Sequence, residues 1–196
     1  MRGRWDFVGW VLLVRHAEAE IPRVGGPDEY HRPLSARGSA QAQRLLGLPR
    51  PDAVFSSPYL RAVQTVQPLA DAFGLAVRTD HELREWDSGL APKPDYARYY
   101  AESWAEPGFA RPGGESLARL TERAVAVLTR LAGEFERVVV GSHGTFVARA
   151  LVGFGVVGVD WELSRSMPMP AIYRVDFGGD RVTVAEVEFE AVEEAE

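Results

Sequence analysis

The chain has 196 residues, 46% hydrophobic and 26% charged, enough for a full-sized core beneath a solvated surface. It has no cysteine, which excludes a disulfide scaffold, a thiolate metal site and a cysteine nucleophile, and no apolar run near the length of a helical membrane span. The net charge of −6 comes from the end of the chain, where Glu186, Glu188, Glu190, Glu193, Glu194 and Glu196 follow a balanced remainder. With no basic block, neither nucleic acid nor an anionic membrane is expected as a partner.

In chain order, Phe7 to Val14 is apolar and preceded by Arg2 and Arg4, but Gly9 interrupts it and Arg15, His16 and Glu18 follow at once. It fails as a secretory leader, and a cytoplasmic protein is expected. Within it, Val11 to Val14 is a continuous branched run, the pattern of a strand buried on both faces; Ala53 to Phe55 and Arg137 to Val140 look alike. Ser35 begins a helical stretch through Leu46. Ser57 and Pro58 begin another toward Phe73, closed by Gly74 and expected to kink at Pro68. Ser116 caps a third, with a core-facing stripe of Leu117, Leu120, Ala124, Val127 and Leu131. Ile172 to Phe177 and Val182 to Phe189 are strand-like, joined by Gly178, Gly179 and Asp180 as a hairpin. The sum is an α/β three-layer sandwich with a mostly parallel central sheet, one domain over residues 1–196. Its last part, 182–196, reads as an acidic edge strand and tail kept unsociable by charge.

In open parallel sheets ligands bind at the carboxyl ends of the strands. After Val14 come Arg15 and His16; after Phe55 come Ser56, Ser57, Pro58 and then Arg61; after Val140 come Ser142, His143 and Gly144. Arg61 falls in a helix first turn, where free amides and the dipole already favour an anion. Two arginines and two histidines on one rim would repel each other without an anion or carboxylate among them, and forked guanidiniums suit a phosphate dianion. Glu18 and Glu20 beside a histidine could suggest a metal. No paired-histidine spacing is present and arginines oppose a divalent cation, so neither metal nor cofactor is expected. His31 and His81 read as surface residues.

These residues resemble the motifs of the histidine phosphatase, or phosphoglycerate mutase-like, superfamily. Leu13-Val14-Arg15-His16-Ala17 is similar to its Arg-His-Gly motif. Arg32-Pro33-Leu34-Ser35 through Gly38 with Gln41-Ala42 is similar to its leucine-serine-x-x-glycine helix start, and Ser56 to Ala62 with Thr65 to its second arginine motif. Leu83-Arg84-Glu85 with Gly89 resembles the acid-bearing loop; Gly113 to Ser116 and Ser142-His143-Gly144 complete the set. The resemblance implies that His16 is the nucleophile, that Arg15, Arg61, His143 and Gly144 bind the phosphoryl group, and that Glu85, or failing it Asp87, is the acid. Ser142 and Thr145 are expected to hydrogen-bond near the phosphate, and Gly114 and Glu115 to serve the turn before the third helix.

Two departures bear on the reaction. Where many mutases carry a phosphate-binding asparagine, this chain has Pro22; where they carry an arginine after the catalytic glutamate, it has Trp86, followed by Asp87. An indole and a carboxylate suit a less anionic leaving group than a phosphoglycerate. Residues 90–111, with Tyr96, Tyr99, Tyr100, Trp104 and Phe109 among Pro92, Pro94 and Pro107, form a lid-like segment. Its aromatic face either packs on the core or lines the substrate pocket, with Trp86, Arg98, Tyr99 or Arg111 near the leaving group. The expected activity is metal-independent hydrolysis of a small phosphorylated metabolite through a phosphohistidine. A phosphoglycerate mutase-type transferase and a non-catalytic phosphate-binding module are the competing readings.

Overall fold

The computed structural model describes residues 5–23, 25–90, 95–179 and 181–188, with residues 5–7 by backbone alone. Arg2, Arg4, Pro92, Pro94, Asp180 and everything from Phe189 onward, including most of the expected acidic tail, lie outside the described residues.

β1 (Trp5–Arg15) lies inside a six-stranded sheet, flanked by β4 (Arg137–Ser142) in parallel and β5 (Ala171–Gly179) in antiparallel pairing. With β2 (Ala53–Ser56), β3 (Val77–Thr79) and β6 (Arg181–Glu186) the strand order is β3-β2-β4-β1-β5-β6. The first four of these run parallel, and β5 and β6 close one side as an antiparallel hairpin. β6 forms that edge, with Val182 and Val184 packed on the core while Arg181, Thr183 and Glu186 face solvent.

The continuous apolar run of β1 is explained by burial on two sides. Val11 and Leu13 join one core cluster with Leu117, Leu120, Leu128 and Leu131 of α4 (Leu117–Glu134) and Phe146 and Leu151 of α5 (Gly144–Gly153). Leu12 and Val14 join the other, with Val66 and Leu69 of α2 (Leu60–Ala72) and Leu45. This is the three-layer arrangement expected from the sequence.

α1 (Ala36–Gln43) starts where expected, with Ser35 Oγ accepting from the Gly38 amide at 2.9 Å, and continues as a tight turn over Arg44–Gly47. α4 starts where expected too, on Ser116. The second helix differs. Tyr59, not Ser57, precedes its first turn; the Ser57 hydroxyl accepts from the Tyr59 amide at 3.3 Å and lies 2.7 Å from His143 Nε2. α2 runs on through Pro68 to Ala72. Among the described residues β3, a single helical turn over His81–Leu83, α5 and α6 (Trp161–Ser166) were not read from sequence. The lid-like segment contains α3 (Tyr96–Ala105), on which Tyr100 and Trp104 pack against the core while Tyr96 stays exposed.

Candidate active site

The carboxyl ends of β2, β4 and β1 are level, with Ser56 opposite Gly141 and Arg15 opposite Ser142. The ladder is continued one residue further, the His16 amide donating to the Ser142 carbonyl at 2.9 Å and the Ser57 amide to Gly141 at 2.8 Å. Register alone therefore brings His16, Ser57 and His143 together. The two imidazoles meet edge-on with centroids 5.3 Å apart.

His16 is 9% exposed. Its Nδ1 lies 2.7 Å from the Ala17 carbonyl, an acceptor only, so this nitrogen carries the proton and Nε2 the lone pair. Nε2 accepts from Arg61 Nε at 3.2 Å. Burial, then the positive charge of Arg61, holds His16 down to about 3, so the ring is neutral at ordinary pH. His143 is fully buried and likewise pushed well below the usual histidine range, by burial first and then by His16 and the arginines.

The helix-start motif packs on the segment that follows His16. Gly38 packs so closely that a Cβ there would lie 1.8 Å from the Glu18 carbonyl oxygen, and Gln41 Oε1 accepts from the Glu18 amide at 3.0 Å. Leu34, Ala42 and Ala17 form a small apolar cluster of their own. Thr65 completes the support, accepting from the Ala17 amide at 2.9 Å while donating to the Arg61 carbonyl at 2.7 Å.

Arg61 is 3% exposed, lies over the Tyr59 ring at 4.8 Å, and donates from Nη1 to the Glu29 carbonyl at 2.6 Å. The Glu29 carboxylate sits 3.4 Å from Arg61 Nη2 and accepts from Arg32 Nη2 at 2.9 Å through the same oxygen, Oε2. Two guanidiniums, those of Arg61 and Arg32, thus share one carboxylate oxygen beside His16. Arg15 donates from Nη1 to the Met167 carbonyl, and its guanidinium packs against the Gly144 backbone. Arg15 Nε and His143 Nδ1 are buried nitrogens without a hydrogen-bond partner, so both can serve a phosphoryl oxygen.

Glu85 stands over the start of α5. Oε1 accepts from the Trp86 amide at 2.8 Å and the Phe146 amide at 3.1 Å, and Oε2 lies 3.3 Å from the Thr145 amide. Since α5 begins directly after His143, this puts the carboxyl group at the helix start that follows that histidine. Its charge is felt at Arg15, Arg61, Tyr59 and Tyr100. Asp87 is exposed and accepts from the Gly89 amide of its own turn at 3.1 Å.

Several expected roles move. Trp86 is 5% exposed and lies in the core, its indole N–H donating to the Glu115 carbonyl at 2.7 Å; a ring this apolar is better placed there than beside a phosphate. Arg111 binds within the lid-like segment, to Ser103 Oγ at 2.7 Å and the Tyr99 carbonyl at 2.8 Å. Arg98 pairs with Glu102 at 3.4 Å and lies 4.9 Å from the Tyr99 ring. The Ser142 hydroxyl donates to the Leu83 carbonyl at 2.8 Å, steadying the loop that leads to Glu85. His31 and His81 are exposed. Among the described residues no group of three or more acidic or histidine side chains could hold a metal ion. None of their helices is long and apolar enough to cross a membrane.

Residues 11–189 match the family described as "Histidine phosphatase superfamily (branch 1)". The chain belongs to this superfamily. It is 30% identical over 185 residues to the "Probable phosphoglycerate mutase GpmB" of Proteus mirabilis (strain HI4320), covering 85% of this chain and 84% of that protein. It is 32% identical over 166 residues to "Phosphoserine phosphatase 1" of Hydrogenobacter thermophilus, covering 76% and 77%. Among solved structures, the Thermus thermophilus protein TTHB049 superposes with a TM-score of 0.66 at 32% identity, over 91% of this chain and 98% of that one. The protein is a histidine phosphatase superfamily enzyme of the phosphatase or mutase kind.

Proposed function

We propose that the protein is a phosphatase that hydrolyses the phosphomonoester of a small metabolite through a phosphohistidine on His16. The observation that carries the reading is the committed tautomer of His16: Nδ1–H is tied to the Ala17 carbonyl, and the lone pair on Nε2 lies beside Arg61. A neutral imidazole needs no base to become a nucleophile.

In the first step Nε2 attacks phosphorus, the bond from phosphorus to the leaving oxygen breaks, and protonated Glu85 gives that oxygen its proton. In the second, Glu85 takes a proton from the attacking water, the new P–O bond forms, and the P–N bond breaks to return neutral imidazole. Arg15, Arg61 and His143 stabilise the charge that shifts onto the equatorial oxygens. Hydrolysis is favoured over mutase chemistry by Trp86. A mutase must hold the second acidic group of its substrate, and the residue after Glu85 is an indole turned into the core rather than a cation. An aromatic side rather than a cationic one is also offered by Tyr100, whose ring lies 4.9 Å from Trp86 and 5.4 Å from Tyr96.

The test is turnover of a generic aryl phosphate in the presence of a chelator by the wild type, His16→Ala and Glu85→Gln. Hydrolysis by the wild type, its loss in His16→Ala, and base-stable, acid-labile phosphate on the quenched protein are expected. Equal activity in His16→Ala removes the nucleophile assignment.

A further inference from the structure

Arg123 projects from the buried face of α4 and is 9% exposed, yet it belongs to no motif read from the sequence. One edge of its guanidinium forks onto both oxygens of Glu115, Nε to Oε1 at 2.9 Å and Nη2 to Oε2 at 2.7 Å. The remaining nitrogen, Nη1, donates to the carbonyls of Glu82 at 2.6 Å and Arg84 at 3.1 Å. Glu115 in turn uses its backbone on the other side of the same loop. Its amide donates to the Asp87 carbonyl at 2.7 Å and its carbonyl accepts from the Trp86 indole at 2.7 Å. With Ser142 on the Leu83 carbonyl, residues 82, 83, 84, 86 and 87 are all held by neighbours distant in sequence, and the residue they surround is Glu85. Arg123 also lies 5.6 Å over the ring of Phe146, the residue whose amide holds Glu85 Oε1.

We infer that the Glu115–Arg123 pair is a positioning device for Glu85, fixing where its carboxyl group meets the leaving oxygen. The inference rests on the reading of Glu85 as the proton donor. Desolvating an arginine and a glutamate costs free energy that packed apolar side chains would not, so a buried pair is weak support for stability alone. A proton, by contrast, has to be delivered over hydrogen-bond distance, and displacement of a reacting group by about 1 Å costs on the order of a hundredfold. All four donor contacts of Arg123 are spent on the loop and on Glu115, none on a substrate.

The experiment compares two esters, an alkyl phosphate whose leaving oxygen needs a proton and a dinitrophenyl phosphate whose leaving group departs without one. In Glu115→Gln and Arg123→Met, kcat/KM for the alkyl ester, which reports only the transfer to His16, is expected to fall about tenfold to a hundredfold, with kcat/KM for the dinitrophenyl ester and the affinity for inorganic phosphate within about threefold. Arg123→Lys, which keeps charge but loses the fork, should fall between. In a Glu85→Gln background, Arg123→Met should cost nothing further, since it acts through the group already removed. Parallel losses in kcat/KM with both esters, or additive losses in the double variant, would overturn the positioning role; kcat itself falls for both, because the water step they share also uses Glu85. Glu115→Gln keeps its backbone contacts and serves if Arg123→Met does not fold. If Glu85→Gln itself does not discriminate between the esters in kcat/KM, the assignment of the acid falls and the positioning role falls with it. If it does and the pair's variants do not, only the latter falls.

Discussion

Arg61 donates from Nε to Nε2 of His16 at 3.2 Å, so the guanidinium expected to bind the phosphoryl group rests on the lone pair expected to attack it. One donor cannot serve both the imidazole and a phosphoryl oxygen well. On the proposed mechanism a bound phosphoryl group, being the stronger acceptor, is expected to draw Arg61 off Nε2 and free that lone pair as it arrives. Arg61→Ala is expected to lower kcat by about a hundredfold to a thousandfold, the usual effect of losing a donor aimed at transition-state charge. Arg61→Lys should recover little, because a point charge cannot reach His16 and the phosphoryl oxygens from one plane. Recovery to near wild-type kcat by lysine would show that charge alone is required there.

Acid should destabilise the free protein through its two site histidines. His16 is held down to about 3 and His143 well below its ordinary value, both chiefly by burial, whereas in the unfolded chain each titrates near 6.5. Between those values the unfolded state binds more protons, so stability is complete above about pH 6.5 and falls as pH drops toward 3. The slope approaches about 1.4 kcal/mol per pH unit for each histidine. Urea midpoints measured from pH 7.5 to 5, above the range of most carboxylates, should show this decline. His143→Gln should reduce the slope by about half over the same window; an unchanged slope would mean that these rings are not buried neutral.

The strands that build the site were legible because burial on both faces leaves a continuous apolar run, as in Val11 to Val14. The four charged and histidine residues of the rim were legible because each directly follows such a strand or opens the next helix. Two kinds of information were missing. α5 is buried from Gly144 through Leu151, so it shows no polar face and therefore no helical stripe to read. The supports of the site, Ser57 on His143, Thr65 on Ala17 and Arg123 on the Glu85 loop, are contacts between segments far apart in the chain. Their residue types are common on surfaces, and spacing gives no sign of their partners. The one available hint was Arg123 itself, a cation one residue before Ala124 in the apolar stripe of α4.

Glu29 should behave as a resident competitor for the phosphoryl site. Its Oε2 lies 2.9 Å from Arg32 Nη2 and 3.4 Å from Arg61 Nη2, and its side chain is 51% exposed, so it can leave for water without a burial penalty. Glu29→Gln removes the charge while keeping the backbone carbonyl that Arg61 Nη1 uses. Inorganic phosphate and vanadate are expected to bind several times more tightly to the variant in a direct titration. The gain should shrink at high salt, where exposed charges are screened. Weaker binding would mean that the carboxylate chiefly organises the two arginines for the ligand.

Two glycines separate folding from function. A Cβ at residue 38 would lie 1.8 Å from the backbone oxygen of Glu18, which cannot move without shifting the segment that follows His16. Gly38→Ala is therefore expected to lower the unfolding free energy by at least about 1–3 kcal/mol, as overpacking does. At residue 144 a Cβ would meet Arg15 Nε at 3.1 Å and the guanidinium carbon at 3.2 Å, contacts that the side chain relieves by yielding a few tenths of an ångström. Gly144→Ala should then leave the thermal midpoint nearly unchanged while moving Arg15 away from the phosphoryl oxygens, raising KM and weakening vanadate inhibition. Thermal melts and inhibition constants on the two variants decide the matter. A Gly144→Ala protein that melts early but binds vanadate normally would place the importance of this glycine in the packing of α5 rather than in the approach of Arg15.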